Sequence, residues 1–154
     1  MKIKIEFASW TKKEPLEIEA ADIKEAVEKA VKDGASLNYA SLNGASLDGA
    51  SLNGASLNYA SLNGAKHNDK ELWTIRPVLQ LGCCGSVGRS TLVMFYSNKS
   101  EPLIYCGCFS GTIEEFEAKI HEQHGGTFHE YEYMAMVNHI KAIRKYQLEE
   151  VEAE

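Results

Sequence analysis

Residues 35–64 read ASLNY ASLNG ASLDG ASLNG ASLNY ASLNG, six copies of a five-residue unit. Ala35, Ala40, Ala45, Ala50, Ala55 and Ala60 hold one phase of the unit, and Leu37, Leu42, Leu47, Leu52, Leu57 and Leu62 hold another. A period of five fits neither an α-helix nor a flat strand. A disordered low-complexity linker does not keep Leu on a strict period, so the stretch is expected to fold. A narrow interior can take stacked Leu with Ala in its tight corners. Ser and Asn accept turn geometry and pair with backbone groups.

These units resemble the pentapeptide-repeat family, whose motif is A(D/N/S)LXX. The resemblance implies a short right-handed quadrilateral β-helix, with one pentapeptide per face and four per turn. On that geometry Tyr39 and Tyr59 fall one turn apart on the same face, while Gly44, Gly49, Gly54 and Gly64 leave the equivalent positions bare. Six units make one and a half turns, a solenoid only ~7 Å long, so the flanking segments are expected to cap it. The incomplete second turn would present unpaired backbone groups. Together with the aromatic area of Tyr39 and Tyr59, this predicts a homo-oligomer, most simply a dimer, formed through the solenoid or its Tyr face.

The flanks read as α+β. Ile3, Ile5 and Phe7 alternate, as do Leu16 and Ile18, which predicts an N-terminal β-hairpin. A helix is expected over 22–33, with Asp22 as N-cap, a stripe of Ile23, Ala26, Val27, Ala30 and Val31, and Gly34 as a left-handed C-terminal cap. That stripe should lid the solenoid. Strands are expected over 77–82, 91–96 and 103–109, the first two joined by a Gly-rich loop over 82–90. A helix follows from Thr112, where Glu115 completes a capping box. A last helix runs from about 129 to 147 with the stripe Tyr133, Met136, Val137, Ile140 and Ile143. The expected organisation is a hairpin and capping helix (1–34), the solenoid (35–65), a C-terminal domain with a β-sheet and two helices (66–148), and an acidic tail (149–154).

The stretch GCFSGTIEEF (Gly107–Phe116), followed by His124-Gly125, His129 and Glu132-Tyr133, resembles a C-terminal domain common in phage and prophage proteins. That domain often follows pentapeptide repeats and a KEAVEKAV-like helix. The match includes Leu79-Gln80-Leu81-Gly82 and Gly85-Ser86, and departs at Cys83-Cys84. The family carries no established general activity, so the resemblance implies a source and a fold more than a function.

Candidate chemistry is sparse. The loop carries Gly82, Gly85, Ser86, Gly88 and Arg89. Its glycines free backbone N–H groups to face an anion and Arg89 adds charge, although it lacks both GxGxxG and the P-loop motif. His124 and His129, with His121, crowd one helix–turn–helix connection, where capping and local hydrogen bonding compete with a pocket role. Cys106 and Cys108 are expected on one face of a strand and Cys83-Cys84 in the loop. Adjacent cysteines suit a structural zinc site poorly, since paired ligands are usually about two to four residues apart. No cofactor is expected.

The chain has a formal net charge of −6, and four of its acidic residues lie in the last six positions. A generic duplex-DNA binder needs a basic face, and none is legible. No apolar run approaches a membrane span, and the charge-alternating N-terminus lacks the apolar core of a signal peptide. The expectation is a protein of the bacterial host cytoplasm. The expected function is that of a non-enzymatic, phage-type binding or assembly protein, set against host defence by sequestering a nucleotide-type signal or binding a host protein. The alternatives are a topoisomerase-directed DNA mimic, for which Asp48 is the only solenoid charge, and a small hydrolase built on a Cys/His pair.

Overall fold

The computed structural model describes residues 1–84 and 89–149. Strand β1 (Lys2–Phe7) pairs antiparallel with β2 (Leu16–Glu19), with Ile5 opposite Leu16. Helix α1 (Ile23–Lys32) starts at Asp22, whose carboxylate accepts a hydrogen bond from the Glu25 N–H at 2.8 Å. Gly34 follows at φ +74, a left-handed geometry that costs glycine little.

The repeats form a β-helix-type coil. Successive turns are hydrogen-bonded to each other: Leu37 N–H donates to Ser56 O (3.0 Å), Leu42 N–H to Ser61 O (2.8 Å) and Leu47 N–H to Lys66 O (2.8 Å). Parallel bridges join Ser41 to Ser61 and Ser46 to Lys66. All six repeat leucines are buried. In the first three units the fourth position ties one turn to the next. Asn38 Oδ1 accepts from Asn58 N–H (2.8 Å) and Ser56 Oγ (2.8 Å), Asn43 Oδ1 accepts from Asn63 N–H (3.0 Å) and Ser61 Oγ (2.6 Å), and Asp48 Oδ1 accepts from Asp69 N–H (2.7 Å). The fifth position is left-handed throughout, which accounts for its glycines; Tyr39 (φ +66) and Tyr59 (φ +57) adopt the same conformation against their side chains.

One end of the coil is closed by the N-terminal segment. Strand β1 pairs antiparallel with β3 (Ala40–Ser41), which protects an open edge, and α1 buries Ala26, Val27 and Ala30 in the same core as the leucines. The other end runs one unit past the six copies. Ala65-Lys-His-Asn-Asp69 keeps the phase, with His67 in the inward position otherwise held by Leu. Lys66–His67 (β4) and Lys70–Glu71 (β5) form a hairpin around Asn68 and Asp69, both at positive φ.

A four-stranded antiparallel meander follows: β6 (Val78–Cys84), β7 (Arg89–Met94), β8 (Leu103–Cys106) and β9 (Phe109–Gly111), adjacent in chain order. Pleating separates its two faces. Leu92, Met94 and Tyr105 pack on the coil, whereas Leu79, Val93, Ile104 and Cys106 pack on helices α2 (Ile113–His124) and α3 (Phe128–Glu149). The sheet is thus a wall shared by two cores. The capping box at the start of α2 is complete, with Thr112 Oγ1 accepting from Glu115 N–H and Glu115 accepting from Thr112 N–H.

Two expectations are corrected. Residues 103–109 are two strands, because Gly107 turns the chain at φ +59. Cys106 is therefore buried in β8 and Cys108 exposed in the turn, so they do not share a strand face. Gly82 and Arg89 lie in strands rather than in the loop, which is shorter than expected. The register slips between Leu81 and Cys84, the kind of irregularity a strand glycine accommodates.

Coil and sheet are latched by polar groups. Gln80 Nε2 donates to Ala55 O (2.8 Å), and Gln80 Oε1 accepts from Leu57 N–H (2.7 Å), so one amide replaces a missing strand along the open edge. Buried His67 lies between the hydroxyls of Tyr96 and Tyr105, 2.9 Å from Nδ1 and Nε2 respectively. Burial holds the imidazole pKa below its ordinary value, against the opposing Ala50 backbone and Asp48 charge. Burial also pushes the Tyr105 phenol up to about 12. The imidazole is therefore neutral, donating from one nitrogen and accepting at the other.

Candidate functional site

Leu81, Thr91, Cys106 and Phe109 stand opposite one another in sequence across the four strands, forming a row at one end of the sheet. The strand ends 82–84 and 89–90 and the Gly107–Cys108 turn lie beyond this row. The helices complete a cavity of about 360 Å³ beside it. Its floor is Cys106, Phe109, Phe116, Ile120 and Tyr133, and its rim is Cys108, Ser110, Lys119, Gln123 and His124.

Helical spacing accounts for five of these. Phe116, Lys119, Ile120, Gln123 and His124 recur at three- and four-residue steps and so share one face of α2. The aromatic rings form a chain: Phe109 and Phe116 have centroids 5.1 Å apart, and Phe116 meets Tyr133 edge-on at 6.1 Å. His124 stacks on Tyr133 at 5.2 Å with 26° between planes. The arrangement offers an apolar floor, aromatic faces and a rim with one amide, one imidazole and the Lys119 ammonium, which pairs with Glu122 at 2.8 Å.

The expected histidines do gather. His129 stands edge-on to His124 with centroids 6.0 Å apart, and its Nδ1 pairs with Glu132 at 2.7 Å. His129 does not line the cavity. His121 Nδ1 lies 2.5 Å from Glu130, whose other oxygen accepts from Gly126 N–H at 2.7 Å. The Gly126 N–H, with His121, holds the Glu130 carboxyl below the usual carboxylate range. These two pairs brace the α2–α3 connection, which leaves His124 as the histidine facing the cavity. Gly85, Ser86 and Gly88 lie outside the described residues, as does the side chain of Arg89; Gly82 is exposed. Among the described residues, no cluster of three or more His, Cys, Asp or Glu is placed to hold a metal.

A second surface lies on the coil. Tyr39 and Tyr59 stack with centroids 5.1 Å apart and 7° between planes, and Trp10 packs edge-on against Tyr39 at 4.8 Å. Trp10 comes from the turn after β1 and is 68% exposed; Tyr59 is 80% exposed. A cavity of about 310 Å³ adjoins Tyr59, lined also by Asn58, Ile75, Arg76, Pro77 and Gln80. Sequence reading found the two tyrosines by their period. Trp10 and Arg76 carry no periodic signal, and only docking of the flanks brings them to the coil.

No helix among the described residues is long and apolar enough to cross a membrane. No curated protein and no solved structure matches the chain. A family model described as pentapeptide repeats, in eight copies, matches residues 33–66. With the parallel bridges between residues twenty apart, this match identifies that segment as a pentapeptide-repeat coil of β-helix type.

Proposed function

We propose that the protein is a non-enzymatic, phage-type binding and assembly protein that opposes host defence by holding a nucleotide-type signal in the cavity at the sheet end. The observation that carries this reading is the cavity's composition: an apolar and aromatic floor under Lys119, Gln123 and His124. Pockets of this size, apolar with a few convergent polar groups, are the ordinary form of small-molecule sites. A base would lie against the Tyr133–His124 stack and phosphates against Lys119. The phage-type source rests on the GCFSGTIEEF stretch and the motif residues after it. In its finer form, the coil is right-handed and four-sided, with one pentapeptide per face. Equilibrium titration with ADP-ribose and with cyclic oligonucleotides tests the function. Binding weakened by Lys119→Ala supports it, and no binding at high micromolar concentration refutes it.

A small hydrolase is the second reading, favoured by Cys108 and His124 lining one cavity. Turnover of a bound nucleotide that is lost in Cys108→Ser would replace the sequestration reading with this one.

A further inference from the structure

The cavity beside Tyr59 combines three groups of distinct chemistry. The Tyr59 ring is backed on one side by Tyr39 and is otherwise open, at 80% exposure. Asn58 adds a side-chain amide and Arg76 a guanidinium, and neither side chain has a hydrogen-bond or ion-pair partner among the described residues. Gln80 also lines the cavity, but both ends of its amide are committed to Ala55 and Leu57.

The backbone at Tyr59 makes the ring's presence informative. Its φ is +57 at a position where Gly44, Gly49, Gly54 and Gly64 meet the same demand without strain. Non-glycine residues in this region carry a conformational cost, and such strain clusters at ligand sites. Here the cost is borne by a side chain that stays largely in solvent and buries little of its own surface in return.

We propose that this cavity is a second ligand site, for a purine nucleoside monophosphate. The purine stacks on Tyr59, the Asn58 amide pairs with its polar edge and Arg76 takes the phosphate. A planar base and an exposed tyrosine ring suit each other because stacking needs only π-faces, and a guanidinium matches phosphate geometry. An amide, being both donor and acceptor, can pair with a base edge. The inference goes beyond the sheet-end reading, since it uses none of those residues.

The probe is adenosine 5′-monophosphate, titrated calorimetrically against the full chain, with adenosine and ribose 5-phosphate as partial probes. Tyr59→Gly is the informative variant, because glycine removes the ring yet suits the backbone at that φ. Stoichiometric binding weakened about tenfold or more by Tyr59→Gly is expected from the loss of one base stack. Arg76→Ala should weaken the monophosphate and leave adenosine nearly unchanged. An affinity untouched by Tyr59→Gly overturns the inference. Loss of monophosphate binding in Lys119→Ala but not in Tyr59→Gly also overturns it, by moving the nucleotide to the sheet-end cavity. Absence of monophosphate binding at millimolar concentration overturns it too, and leaves the sheet-end reading to its own test with ADP-ribose.

Discussion

His67 Nδ1 lies 2.9 Å from the Tyr96 hydroxyl, where the inward file of repeat leucines ends and the sheet begins. An imidazole occupies a leucine position because the sheet brings it two hydroxyls, the second from Tyr105. Elsewhere in the coil, a buried imidazole would lack partners and cost free energy.

This site makes stability depend on pH. The native His67 pKa lies below the ordinary 6.5, so the unfolded chain binds the proton more readily. The contribution of neutral His67 is fully present above about pH 6.5 and is lost as the pH falls from there through the depressed native value. Urea unfolding at a series of pH values should show stability falling across that window. His67→Gln, which keeps a donor and an acceptor but does not titrate there, should flatten the slope.

Gln80 should matter more than a half-buried surface amide usually does. Gln80→Leu removes both partners of the Ala55 carbonyl and Leu57 N–H edge. The expected loss is about 1–3 kcal/mol in chemical denaturation, from backbone groups left without partners. Gln80→Glu can still accept from Leu57 but, when ionised, cannot donate to Ala55, so it also destabilises. Wild-type stability in the Leu variant would show that water serves this edge equally well.

Tyr59→Gly should raise the melting temperature or leave it unchanged, although it deletes an aromatic side chain. Relief of a left-handed non-glycine backbone is worth about 1–2 kcal/mol, and the exposed ring gives up little burial. The same variant probes assembly. Light scattering at micromolar concentration should give an oligomer for the native chain and an unaltered one for Tyr59→Gly, since the proposed base stack needs an open Tyr59 ring and so puts the interface elsewhere on the coil. The monomer mass of 17.1 kDa for the native chain would remove the self-association proposal.

Gly125→Ala should loosen the α2–α3 connection. A Cβ there would stand 2.7 Å from the His121 carbonyl oxygen, which is backbone and cannot swing aside. Overpacking of this kind costs roughly 1–3 kcal/mol. Because His124 is the adjacent residue, ADP-ribose affinity should fall along with thermal stability, and retained affinity would separate His124 from the proposed site.

The local periods alone determined much of this protein. A leucine every fifth residue specifies a coil because each unit repeats the same turn and the same inward side chain. The stacking of Tyr39 on Tyr59 follows from that phase without further information. Asp22 and the Thr112/Glu115 box mark helix starts because an N-cap acts within three residues of itself. What tertiary structure decided lies where partners are remote. Gln80 reaches Ala55 and Leu57 across 25 and 23 residues, and His67 meets Tyr96 and Tyr105 across 29 and 38. No periodicity links those pairs; they meet because the sheet docks on the coil with one pleated face. The hairpin at Gly107 was hidden for a related reason, since alternation of apolar residues on either side reads as one strand until a left-handed glycine breaks it. The cavities belong to the same class. His124 faces one because His121 and His129 are held by Glu130 and Glu132, and Arg76 borders the other because docking sets the 75–80 segment beside Tyr59.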